Sequence, residues 1–79
     1  MGVVGLCSVT VQITAIDGVD LLEPVTVFAN VEFPAANGFV DIEVLGVPVE
    51  VDCPAMDFET TIDVAAIGLV TLLIQAEEV

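Results

Sequence analysis

The sequence contains no lysine, arginine or histidine, against thirteen aspartate and glutamate residues, for a formal net charge of −13. No salt bridge between side chains can therefore form within the chain. Each carboxylate must lie in water, near a cation, or protonated beside its neighbours. Self-repulsion opposes both compaction and assembly unless acid, salt or divalent ions relieve it.

The missing cations also exclude classes of partner and of chemistry. Nucleic-acid phosphates and anionic lipid head groups are bound mainly by lysine and arginine, so we expect neither nucleic acid nor an anionic membrane as a partner. Histidine and lysine acid-base chemistry is absent, and Ser8, the only serine, has no ordinary base to activate it. A chain of 79 residues also has little room for a cleft. We expect no enzyme activity and no small-molecule substrate.

Long hydrophobic runs are missing too. The longest mainly apolar stretch, Val64 to Ile74, is too short to span a bilayer as a helix. The opening segment Met1 to Leu6 is apolar but lacks the basic region and the length of a secretory signal. We expect residues 1–79 to form a single β-domain, with residues 1–6 as a candidate extended arm.

The apolar content, by contrast, is high. Hydrophobic residues make up 57% of the chain, which is more than a domain of this size can bury. Because large exposed apolar patches mark interaction surfaces, we expect copies of the chain to cover them. The candidate assembly residues are Val3, Val4, Leu6, Leu69, Leu72, Leu73 and Ile74.

Alternation of apolar and polar residues predicts β-strands. One run extends from Cys7 to Ile16 and ends at the turn pair Asp17-Gly18, and a second begins at Pro24, with Phe28 interrupting its polar face. In a third run the phase changes at Leu45-Gly46, which indicates either a tight hairpin or one long strand with a bulge.

The last third of the chain continues this pattern. Cys53 to Asp57 is predicted to be a loop, and alternation resumes at Phe58. Leu69 to Ala76 is apolar on both faces, which is typical of a central strand or a subunit interface. A helix over Val64 to Gln75 is the alternative, but Gly68 interrupts it and no helix start precedes it. The predicted fold is all-β: a small antiparallel β-sandwich or barrel of five to seven strands.

The two cysteines, Cys7 and Cys53, lie at the start and the end of predicted strands. A bond between them within one chain would stabilise so small a domain by about 4 kcal/mol in the chain-entropy model. Bonds between subunits and a pair of reduced thiols are the alternatives. Two sulfurs without histidine fall short of the usual four zinc ligands.

Three carboxylates, Asp17, Asp20 and Glu23, lie close together around a glycine-containing turn. Calcium prefers several oxygen ligands in such places, although the spacing matches no EF-hand loop. A solvated acidic turn is therefore the favoured interpretation, and calcium binding is the alternative. We expect no cofactor other than a calcium ion held by these residues.

The stretch from Leu22 to Ala76 reads LLEPVTVFANVEFPAANGFVDIEVLGVPVEVDC, then FETTIDVAAIGLVTLLIQA after a short loop. It resembles the small β-domains of spore-coat and spore-assembly proteins of endospore-forming bacteria. In these a PV…F…EVPF strand is followed by a VEVEVE strand and an apolar final strand. The absence of lysine and arginine departs from the family. The resemblance implies a structural protein of a coat or appendage, with no catalytic residues.

The sequence thus predicts a self-assembling structural subunit of an extracellular or cell- or spore-surface filament, coat or layer. Its partners would be copies of itself, associating by strand pairing and apolar contacts. The alternative is an acidic, non-catalytic accessory module, calcium-stabilised in one version, that docks on a larger partner and uses its carboxylates for electrostatic steering.

Overall fold

Six β-strands make up the domain in a computed structural model that describes residues 5–35 and 38–79. They are β1 (Gly5–Ile16), β2 (Val19–Ala35), β3 (Phe39–Val44), β4 (Val47–Asp52), β5 (Ala55–Val64) and β6 (Gly68–Glu78). Within the described ranges no helix is long and apolar enough to cross a membrane.

The strands form two antiparallel sheets. One has four strands in the order β2-β1-β6-β5, and the other is the hairpin β3-β4. The prediction of an all-β antiparallel domain with five to seven strands is confirmed. The hairpin packs on one face of the larger sheet as a second layer, which corresponds to the sandwich form of the prediction.

The core lies between these two layers. Alternate residues of β1 and β6 are fully buried, among them Val9, Val11, Leu72 and Ile74, and the hairpin contributes Val40, Val44 and Val51. These side chains belong to one continuous hydrophobic cluster. The strict alternation in β1 therefore has the cause proposed from sequence, since a half-buried strand places every second side chain in the core.

Two tight turns follow the sequence prediction closely. Asp17 and Gly18 connect β1 to β2 with φ angles of 51° and 78°. Leu45 and Gly46 connect β3 to β4 with φ angles of 53° and 83°, so the hairpin alternative is the correct one at this position. Positive φ at both central residues matches the right-handed twist of the flanking strands.

Strand β2 differs from its prediction. It begins at Val19, not at Pro24, because the two-residue turn leads directly into pairing with β1. Its seventeen residues oppose the twelve of β1, so the register shifts at several points. One shift surrounds Asn30, whose φ is 50°. Beyond it Phe28 lies opposite Val11 on the core side, with its ring edge-on to Phe33 at 5.6 Å.

Two further predictions in the last third of the chain can be compared with the structure. Strand β5 already begins at Ala55, so the predicted loop from Cys53 to Asp57 is too long, although Asp57 has a φ of 51° within an irregular stretch. The segment from Gly68 to Glu78 is a strand, which excludes the helix alternative. It lies centrally between β1 and β5, as its apolar character on both faces predicts.

Candidate functional site

The two cysteines are joined in the structure as a disulfide bond, with a Cα–Cα distance of 6.3 Å. Cys7 lies on β1 and is fully buried, whereas Cys53 follows β4. The Cys53 N–H also donates to the Gly38 carbonyl at 2.8 Å, which closes the base of the hairpin. The disulfide bond therefore links the end of the β3-β4 hairpin to β1 of the four-stranded sheet.

One of the three acidic residues predicted to surround the first turn, Asp17, has a structural role. The Asp17 N–H donates to the Leu69 carbonyl at 2.7 Å, and the Leu69 N–H donates to Asp17 Oδ1 at 2.9 Å. Gly68 lies so close that a side chain there would overlap the Asp17 carboxylate. Asp17 therefore joins the β1–β2 turn to the start of β6.

The other two members, Asp20 and Glu23, are exposed on β2. Across residues 5–35 and 38–79 no three acidic or cysteine side chains are grouped closely enough to hold a metal ion together. The structure therefore does not gather Asp17, Asp20 and Glu23 into one ligand set. Asp17 lies in the turn before β2, and the extended backbone of this edge strand carries Asp20 and Glu23 away from it.

The seven predicted assembly residues separate into three groups. Leu72 and Ile74 are fully buried in the chain's own core, so their assignment to a subunit contact is wrong. Leu69 is 52% exposed, Leu73 is half-buried, and both lie on the opposite face of β6; Leu6 is 44% exposed. Val3 and Val4 lie outside the described residues. Gly5 and Leu6 belong to β1, so this part of the predicted arm is in the sheet.

The face of the four-stranded sheet that carries Leu69 and Leu73 is not covered by the hairpin, and we call it the open face. Its centre is mostly uncharged, with Ser8, Thr10 and Gln12 on β1 opposite Glu77, Gln75 and Leu73 on β6, and Glu77 is the one carboxylate among these six residues. Hydroxyl and amide groups bond across strands there, as between Thr10 Oγ1 and Asn30 Oδ1 at 3.2 Å. Its carboxylates lie mainly on the edge strands.

The outer edges of the sheet are formed by β2 and β5, and within the described chain neither edge is paired. The β2 edge is interrupted by Pro24, Pro34 and register shifts. The β5 edge is regular over seven residues, Phe58 to Val64. A regular unpaired strand is a template for another strand, whereas bulges and prolines oppose pairing.

The direction of the free backbone groups on β5 follows from the β6 ladder. Hydrogen bonds from Asp17 N to Leu69 O and from Val79 N to Leu6 O indicate that odd-numbered residues of β6 bond to β1. Since the direction alternates along a strand, even-numbered residues bond to β5. The backbone N–H and C=O groups of their partners Phe58, Thr60 and Ile62 are therefore hydrogen-bonded to β6. The N–H and C=O groups of Glu59, Thr61 and Asp63 are directed to the open edge.

All thirteen carboxylate residues are exposed. No polar or charged residue of the described chain is buried. Two acids, Asp41 and Glu50, lie directly opposite each other on the hairpin. Like charges in that position destabilise a sheet. The sequence alone shows that these acids alternate with apolar residues. It does not show which residue lies opposite each acid, because the position of the hairpin turn sets the register.

An open groove of about 330 Å³ lies at the disulfide end of the domain. Its described lining includes Leu6, Cys53 and Val79, with Glu78 as the one ionisable side chain.

In comparisons with known proteins, no family model, no curated protein and no solved structure matched this chain. The resemblance to spore-coat domains is not tested by these comparisons and stays a prediction. The candidate functional site of this chain is therefore defined by its own geometry, as the unpaired edges and the open face of the four-stranded sheet.

Proposed function

We propose that the chain is a non-catalytic structural subunit that assembles with copies of itself into a filament, coat or layer. One observation carries the proposal: large apolar side chains are exposed beside the unpaired edges of the four-stranded sheet. Leu22 and Val25 are exposed on β2, and Met56 and Phe58 on β5, with Met56 84% exposed. Exposed apolar groups next to free strand edges support association by sheet extension.

The direct test is sedimentation velocity over a concentration series of the disulfide-bonded protein, with negative-stain microscopy of the same samples. We expect species larger than the monomer, increasing with concentration and with ionic strength. A monomer at every concentration, salt, pH and calcium level would contradict the proposal.

A double variant tests whether the exposed apolar side chains mediate assembly. Leu22→Gln together with Met56→Gln removes two exposed apolar side chains without altering the core, so assembly should weaken while the melting temperature changes little. Thr26→Ser, an exposed polar change on β2, serves as the control. Unchanged assembly in the double variant would show that these apolar groups do not mediate it.

A second candidate function is favoured by the exposure of every carboxylate. A surface with thirteen exposed acids and no cation attracts a basic partner over a long range, which accelerates association at low ionic strength. In this version the chain is an accessory module of a larger protein. Capture of one stoichiometric basic partner, lost at high salt and without any homopolymer, would favour the module over the self-assembling subunit.

A further inference from the structure

The β5 edge is the part of the molecule best suited to pair with a second copy. Its regular segment, Phe58 to Val64, is longer than either strand of the hairpin, and unlike β2 it has no proline and no register shift. Its outward N–H and C=O groups come from Glu59, Thr61 and Asp63. Because β2 is bulged, the regular edge strand that can match this segment is the β5 of another copy.

We propose that two copies pair through their β5 strands, antiparallel about a two-fold axis at Thr61, and that Glu59 and Asp63 restrain this pairing. The inference rests on the proposed self-assembly and specifies its contact. Two-fold symmetry brings the same patch of both subunits together, and the result is one continuous eight-stranded sheet.

The sequence of the segment is self-complementary in this register. With Thr61 opposite Thr61, Phe58 lies opposite Val64 and Thr60 opposite Ile62, on the side that continues the core face. Phe58 is 42% exposed in the monomer, so pairing removes apolar surface from water. The register also aligns every outward backbone group of the segment with a partner.

Electrostatic repulsion between carboxylates on the open face opposes this pairing. The same register places Glu59 of each copy directly opposite Asp63 of the other, which gives two like-charge pairs across the junction. The opposite neighbours of these acids within the chain, Leu73 and Leu69, are uncharged and provide no compensation. Like charges facing each other across strands are destabilising, and acids on an edge strand oppose pairing.

The test is removal of these charges. The double variant Glu59→Gln/Asp63→Asn should dimerise with a dissociation constant at least about tenfold lower than that of the native chain at low ionic strength, measured by analytical ultracentrifugation. Asp41→Asn/Glu50→Gln removes the same number of charges from the hairpin and should leave the constant within about twofold. Equal strengthening by both variants would mean that net charge alone controls assembly, which would overturn the inference.

A second variant tests the edge itself. Thr61→Pro, added to the neutralised double variant, removes an N–H directed to the open edge and leaves the backbone bonds of β5 to β6 intact. It also removes the hydroxyl that lies 3.3 Å from Thr71 Oγ1 on β6, a contact that valine at this position lacks as well. We expect loss of the dimer with a retained β-sheet circular dichroism spectrum and a cooperative melting transition. Thr61→Val, which keeps the N–H, is the matched control and should still dimerise.

Persistence of the dimer in the folded proline variant would exclude the β5 contact. If the native chain assembles but the neutralised variant does not assemble more strongly, the β5 inference is wrong and the structural function stands. If neither assembles under any condition, the proposed function itself fails.

Discussion

Asp17 and Leu69 are bonded to each other twice, through the Asp17 N–H to the Leu69 carbonyl and through the Leu69 N–H to the Asp17 carboxylate. These bonds join the β1–β2 turn to the start of β6, two parts of the chain that are far apart in sequence. The acid expected to be a calcium ligand or a solvated turn residue is thus a connection between strands.

Replacing Asp17 with alanine should lower the free energy of unfolding by about 1–2 kcal/mol, because the side-chain acceptor is lost and a residue at φ 51° becomes strained. Asp17→Asn keeps an acceptor oxygen and tolerates positive φ, so it should lose less than half as much. Urea denaturation of the three proteins measures both values. An equal loss in the two variants would mean that the side-chain acceptor does not matter.

Reduction of the Cys7–Cys53 bond should lower the free energy of unfolding by about 4 kcal/mol, since the bond closes a loop with a sequence separation of 46. The measurement is thermal unfolding with and without a thiol reductant. The double variant Cys7→Ala/Cys53→Ala should be as unstable as the reduced protein and insensitive to reductant. A native melting temperature unchanged by reductant would contradict the prediction.

Neutralising one member of the opposed pair on the hairpin should stabilise the protein. Asp41→Asn removes repulsion from Glu50 and should raise the free energy of unfolding by about 0.5 kcal/mol at low ionic strength. The control is Asp52→Asn, because Asp52 lies opposite the uncharged Phe39 on the same hairpin. The difference between the two variants should disappear in about 1 M salt, where charges are screened. A difference that persists there would indicate another cause.

The adjacent leucines of β6 should respond very differently to truncation. Leu72→Ala leaves a cavity in the core and should cost about 2–5 kcal/mol, whereas Leu73→Ala on the open face should cost about 1 kcal/mol. Denaturant unfolding of both variants with the disulfide intact measures the difference. Similar losses would mean that the open face is covered by something in solution.

Much of the fold could be predicted because β1 and β3 alternate strictly between apolar and polar residues. The buried series of β1, from Cys7 to Ile13, and that of β3 are read directly from the sequence. Strand β2 could not be read in this way, because its bulges change the phase. Phe28 at a position predicted to be polar was the one signal of such a bulge.

The candidate site was less predictable than the fold. From the sequence, four residues of β6 were all predicted to be assembly residues: Leu69, Leu72, Leu73 and Ile74. The sequence could not separate them, because a central strand and an interface strand are both apolar on two faces. Only the register with β1 and β5 assigns each residue to a face. The pairing of Asp41 with Glu50 and the outward direction of the Thr61 backbone likewise depend on strand partners, which one sequence does not specify.

The first and last strands, β1 and β6, lie side by side at the centre of the sheet, with Val9 opposite Ala76. The central ladder therefore joins parts of the chain that are distant in sequence, and closing so long a loop costs entropy before any contact compensates for it. Proteins of such high contact order fold in milliseconds to seconds. The Cys7–Cys53 bond shortens the path between these strands, so a chain that unfolds with the bond intact should refold faster than a reduced one.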